Sequence, residues 1–209
     1  RVFDLTVSPF NDARGALFHK MVGGYSAAKL QIYQDLIERQ LGNMNGAVLN
    51  MLNTKYFVVP GQNNQPMVQR NPGALGNAWF VNNIKVVNSA EEEMNALNAP
   101  SLSNPNVDSA TIATAFDPAT TAIVRADRMD KVGATAYNNA QSGIRLSSYG
   151  PTKLTYDVQA AQEGFAVFSD IYYPEGWTAK IDGKEAEIIR TNYVLRGLKI
   201  PAGAKQVEF

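Results

Sequence analysis

The last third of the chain alternates in polarity, and that pattern limits the fold more than any other feature. Leu154, Tyr156 and Val158 are interleaved with Thr155, Asp157 and Gln159. Phe165, Val167, Ile171 and Tyr173 share one face of the next run, and Trp177, Ala179 and Ile181 share a face of the run after it. A period of two sends successive side chains to opposite faces, so each run reads as a strand with one buried side. Asp182-Gly183 joins two such runs and is the strongest short hairpin signal in the chain, because both residue types tolerate the positive φ of a tight turn. Val194, Leu198 and Ile200 follow, and Pro201-Ala202-Gly203 turns into a last strand. Helical spacing vanishes from about Ile144. Six or seven strands at short spacing predict an antiparallel sandwich or barrel over 144–209.

The first half mixes signals. Ser26 is a good N-cap for a helix carrying Leu30, Tyr33, Leu36, Ile37 and Leu41 at helical spacing, and Gly42 stands where a left-handed cap would end it. Ala47, Val48, Met51 and Leu52 predict a second short helix, followed by a strand at Tyr56-Phe57-Val58-Val59 that Pro60-Gly61 stops. Residues 62–77 are rich in Asn, Gln and Pro and read as a loop. Residues 79–87 alternate as one strand. Ser89-Ala90-Glu91-Glu92 then reads as a capping box opening a helix to about Leu97. Residues 100–105 read as a loop, 108–115 as a short helix and 121–125 as a strand. The expected class is α+β: a mixed α/β layer over 1–143, then an antiparallel β-sandwich-like domain over 144–209. Residues 138–143 form the expected linker.

Composition excludes several functions. Nineteen basic residues balance nineteen acidic ones, and no basic stripe is visible, so nucleic acid is not an expected partner. With no cysteine, disulfides, thiolate catalysis and zinc–thiolate sites are ruled out. No apolar stretch approaches the roughly 18–20 residues that span a bilayer. Arg1-Val2-Phe3-Asp4-Leu5 and Lys205-Gln206-Val207-Glu208-Phe209 both read like strand interiors, so the expectation is a domain excised from a longer protein.

Catalytic signals are weak. His19 is the only histidine, and every His-dependent triad or metal site would have to pass through it. Glu91, Glu92 and Glu93 fall in the first turn of a helix, where the helix dipole favours acids and no chemistry is needed. Asp127, Arg128 and Asp130 form a mixed-charge loop without calcium-loop spacing. No cofactor is expected. The polar cluster Asn11, Asp12, Arg14, His19 and Lys20, before Gly23-Gly24, is the best loop candidate for a ligand: Arg14 and Lys20 suit a phosphate or carboxylate. The same cluster equally suits docking against another part of the parent protein. Tyr25, Trp79 and Trp177 have aromatic faces suited to the apolar side of a sugar ring, although aromatics on strands more often pair within a core. The candidate ligand residues are therefore Arg14, His19, Lys20, Tyr25, Trp79 and Trp177.

Several segments together resemble the YfhO family of bacterial membrane proteins, in the form common in Bacteroides-type bacteria. These are Arg1-Val2-Phe3-Asp4, Ser8-Pro9-Phe10-Asn11-Asp12-Ala13-Arg14, Phe18-His19-Lys20 and Gly23-Gly24-Tyr25-Ser26. Further on come Asn71-Pro72-Gly73-Ala74-Leu75-Gly76-Asn77-Ala78-Trp79-Phe80, Tyr172-Tyr173-Pro174-Glu175-Gly176-Trp177 and Asn192-Tyr193-Val194-Leu195-Arg196. The resemblance departs at Gln31-Ile32, where the family often carries a basic pair. It implies the extracytoplasmic region of a multi-spanning inner-membrane protein, similar to glycosyltransferases that use polyprenyl-phosphate sugars in cell-envelope glycosylation. The catalytic acid of such enzymes lies outside this chain, so no catalytic residue is carried over. The implied partners are the membrane-spanning part of the same polypeptide and an envelope glycan or lipid-linked sugar. A purely structural domain packed on the membrane helices is the first alternative. A free-standing carbohydrate-binding or glycoside hydrolase domain, with two acids facing each other in a cleft, is the second.

Overall fold

A computed structural model describes residues 1–104 and 106–209. The loop expected over 100–105 therefore ends on a residue outside the described set. The chain opens with β1 (Val2–Asp4), which pairs in parallel with β2 (Tyr56–Pro60). Between them lie α1 (Gln31–Leu36), a wider π-helical turn at Ile37–Leu41, and α2 (Gly46–Met51). The expected cap at Ser26 is not used. The segment before α1 is tied to β1, with the Val22 amide donating to the Val2 carbonyl at 2.9 Å, so the helix starts only after Leu30. Gly42 is right-handed at φ −59°, because its amide closes the π turn on the Ile37 carbonyl. The left-handed residue is Met44, two positions later.

β3 (Pro66–Arg70) lies inside the stretch expected to be a loop and pairs antiparallel with β2. All five of its residues are exposed. An edge strand held by backbone bonds alone leaves no burial period in its sequence. The strand expected over 79–87 is two strands. β4 (Ala78–Val81) pairs with one sheet and β5 (Asn83–Val87) with another, and Asn82 bonds to Thr120 and Tyr137 at the break. α3 (Ala90–Ala96) begins at Ser89, whose hydroxyl accepts the Glu92 amide at 3.1 Å. The Glu92 carboxylate takes the Asn88 amide rather than that of Ser89, so the box closes one residue further out. α4 (Ser109–Thr114) is capped by Asp108. β6 (Thr121–Arg125) then lies parallel to β5, and α5 (Met129–Val132) follows it.

Eight strands fill the remainder: β7 (Gly143–Tyr149), β8 (Leu154–Gln159), β9 (Gly164–Ile171), β10 (Ala179–Ile181), β11 (Lys184–Ala186), β12 (Ile189–Thr191), β13 (Leu195–Ile200) and β14 (Gln206–Glu208). They form two antiparallel sheets, in the orders β11-β10-β14-β8-β7 and β12-β13-β9-β4. The fold is therefore α+β, with a sandwich rather than a barrel in its C-terminal part. Asp182 (φ 49°) and Gly183 (φ 80°) make the expected two-residue turn between β10 and β11.

The four-stranded sheet is apolar on both faces. Ala166, Phe168, Leu198 and Ile200 face the five-stranded sheet, where Tyr156, Phe168 and Phe209 meet edge-on at centroid distances of 4.8–6.0 Å. Phe165, Val167, Leu195 and Ile189 face the other way, into a core shared with Leu36, Leu49, Met51, Met94 and Ile123 of the N-terminal half. Arg1 ties the halves as well. Its guanidinium donates to the carbonyls of Leu52 and Ser169, at 2.6 and 2.8 Å, and meets Asp170 at 3.1 Å.

Candidate functional site

The segment after β1 leaves the body of the protein and returns to it at Met21, which bridges to Val2. Its outer part is a single turn of 3-10 helix at Arg14–Leu17 with no buried residue. Arg14 pairs with Asp12 at 2.5 Å through the guanidinium, and this ion pair holds the Asp12 carboxyl below its ordinary range. His19 is exposed. Lys20 places its ammonium 2.9 Å from the ring centroid of Tyr149 on β7, so this cation packs on an aromatic face of the sandwich. Tyr25 is exposed beyond the glycine pair. Thus Arg14, His19, Lys20 and Tyr25 lie on one excursion of the chain.

That excursion carries a feature the sequence reading missed. Leu17 and Phe18, adjacent in the chain, are each 79% exposed. No periodicity marks them, because a residue in an irregular loop can face the core or the solvent with equal ease. Burying side chains of this size is worth about 1.5–3 kcal/mol each. Below them Asp4, Val7, Pro9, Gly15 and Met21 line a shallow hollow of about 310 Å³.

Trp177 lies elsewhere. It lines a groove of about 300 Å³ with Tyr172, Pro174 and Thr178. The Arg196 guanidinium lies 4.6 Å from the Trp177 ring centroid and 5.2 Å from that of Phe209, while its Nε donates to the Ile171 carbonyl at 3.0 Å. Arg196 is itself buried, and desolvation is the main influence lowering its pKa. One face of the indole is therefore fixed by a stacked cation, a contact worth about 0.5–2 kcal/mol. Trp79 is separate again. It packs against the main core, and its indole N–H donates to the Pro118 carbonyl at 2.7 Å.

A wider hollow, about 630 Å³, lies beside the β10–β11 hairpin and is lined by Lys131, Asp182, Glu185, Glu187 and Lys199 among others. Two of its acids are engaged. Asp182 accepts the backbone amides of Lys205 and Gln206, and Glu187 pairs with Lys131. Among the described residues no group of three or more His, Asp or Glu side chains is placed to hold a metal ion. Nor is any helix long and apolar enough to cross a membrane.

Comparison with known proteins adds one finding. The family model for the bacterial membrane protein YfhO matches residues 113–209, from the end of α4 to the last strand. No curated protein and no solved structure matches the chain. The matched span contains Tyr172, Trp177 and Arg196 of the groove, and it supplies every strand of both sandwich sheets except β4. Over residues 113–209, just under half of its length, the chain is similar to the YfhO family of bacterial membrane proteins.

Proposed function

We propose that this chain is an extracytoplasmic, non-catalytic domain of a multi-spanning inner-membrane protein, seated on the membrane-embedded part through its 8–30 excursion. There it helps to position an acceptor glycan or lipid-linked sugar for a membrane-embedded glycosyltransferase site. The observation that carries the seating is the Leu17-Phe18 pair, 79% exposed and flanked by Arg14, His19 and Lys20. Apolar tips beside polar and basic side chains suit the boundary between a membrane and water, where the apolar groups insert and the polar ones meet headgroups or polar helix ends. The groove at Trp177 supports the positioning role, since it is concave and has an aromatic wall beside Tyr172 and Pro174.

Cysteine labelling of the full-length membrane protein tests the seating, because this chain has no cysteine of its own. Phe18→Cys is expected to resist a membrane-impermeant maleimide in intact cells and to react once detergent has dissolved the membrane. Lys184→Cys, exposed on β11 at the opposite edge of the five-stranded sheet from Tyr149, is expected to react in both. Free labelling of Phe18→Cys in intact cells would refute the seating. Failure of Lys184→Cys to label until the inner membrane is breached would place the domain on the other side. The positioning role is read separately: Trp177→Ala is expected to lower sugar transfer by the parent at least tenfold, and unchanged transfer would remove that role.

A further inference from the structure

Around the end of β6, three arginines gather with two acids: Arg190 lies near the buried Glu93 carboxyl, and Arg125 and Arg128 pair with Asp127. Arg125 ends β6, Arg128 lies in the turn after it, Arg190 comes from β12, and Glu93 rises from α3. Glu93 is wholly buried. One of its oxygens accepts the Tyr193 amide at 3.0 Å, while the other lies 3.6 Å from Arg190, beyond hydrogen-bond length, and has no donor among the described residues. Asp127 is the second acid, 3.1 Å from Arg125 and 3.8 Å from Arg128. The Arg128 guanidinium also donates to the Arg190 carbonyl at 3.2 Å.

Three cations thus face two acids, so at least one positive charge is in excess. The arginine side chains are only 26%, 17% and 18% exposed for Arg125, Arg128 and Arg190, so water screens them incompletely. The buried Nε atoms of Arg125 and Arg190 have no hydrogen-bond partner among the described residues. Buried donors are ordinarily satisfied, and a guanidinium is a rigid fork shaped for planar or tetrahedral oxyanions. What sets this cluster apart is that unfilled guanidinium donors and an excess of positive charge occur together.

We propose that Arg125, Arg128 and Arg190 form a binding site for an oxyanion of the phosphate class, with Glu93 as the positioning residue that fixes Arg190 and the Tyr193 turn beneath it. A phosphate offers several acceptor oxygens and up to two charges, so forks from three directions share it, whereas one carboxylate would satisfy fewer of them. The site is independent of the 8–30 excursion and of the Trp177 groove.

The test is direct titration of the purified 209-residue chain. Inorganic phosphate and pyrophosphate, followed by calorimetry and by phosphorus NMR, are expected to bind saturably, with acetate at equal ionic strength giving no such signal. Vesicles carrying phosphatidic acid form a second arm: retention on them with no response to free phosphate assigns the anion to a lipid headgroup. Arg128→Gln, which leaves Glu93, Arg190 and Tyr193 in contact, is expected to weaken binding at least tenfold. Arg125→Gln serves the same purpose if thermal melts show that Arg128→Gln unfolds. Absence of saturable binding in both arms overturns the site, as does undiminished binding by a folded variant.

Discussion

Glu93 shows how much one position leaves undecided in the sequence. Its place in the first turn of α3 agrees with a solvated acid favoured by the helix dipole, which is how Glu91 and Glu92 behave. The third acid of the run instead points inward and is buried. Desolvation pushes its carboxyl above the ordinary range, against the opposing pull of the Tyr193 amide and of Arg190, Arg128 and Arg125. The native state then holds a proton on Glu93 that the unfolded chain releases at lower pH. This contribution to stability is fully present below the unfolded carboxylate value and is lost as pH rises through the folded one. Melting temperatures from pH 4 to 8 are therefore expected to fall for the wild type relative to Glu93→Gln as pH rises. Parallel curves, or a gap opening in the other direction, would show that the guanidinium groups outweigh burial.

Among the elements, β9 and β13 were legible and β3 was not. Every β9 residue from Gly164 to Ser169 is buried because the strand has protein on both faces, yet its large apolar residues still mark it as a strand. β3 has neither burial nor alternation, and only its backbone pairing with β2 defines it. Close approach of the two central strands depends on Gly197. A Cβ there would stand 2.5 Å from Phe165 and 3.1 Å from Thr191. Gly197→Ala is expected to destabilise the fold by about 2 kcal/mol, in the range of other overpacked cores. Chemical denaturation reads this directly, and a cost below about 0.5 kcal/mol would mean that the Phe165 ring moves aside freely.

For the whole molecule, the double-faced sheet is decisive. β4, from the N-terminal half, supplies an edge of that sheet, and Phe165, Val167 and Leu195 lie against helices from before residue 100. A fragment of residues 144–209 alone would lack β4 and expose this face to water. It is expected to show no cooperative thermal transition and to bind a hydrophobic dye, whereas the full chain melts in one step. A well-dispersed amide spectrum from the fragment would contradict this. Of the candidate ligand residues, four share the 8–30 excursion because they are near neighbours in the chain, a proximity the sequence already contains. Trp79 and Trp177 are far apart in role: one indole is tied into the main core, and the other stands in a groove with its face against Arg196.

Neighbouring residues were enough to set the local periods and turns: the alternating strands after Ile144, the Asp182-Gly183 hairpin, the Ser89 cap, and the absence of a bilayer-spanning run. Each depends on residues only a few positions apart, so each is written in neighbouring letters. Only packing placed residues 79–87 in two sheets, turned Glu93 inward toward Arg190, and left Leu17 and Phe18 facing outward. Those outcomes depend on which distant surface a side chain meets, as with Arg190 of β12 beside Glu93 of α3. Contacts across about a hundred residues are set by packing the whole core at once, and no local pattern records them.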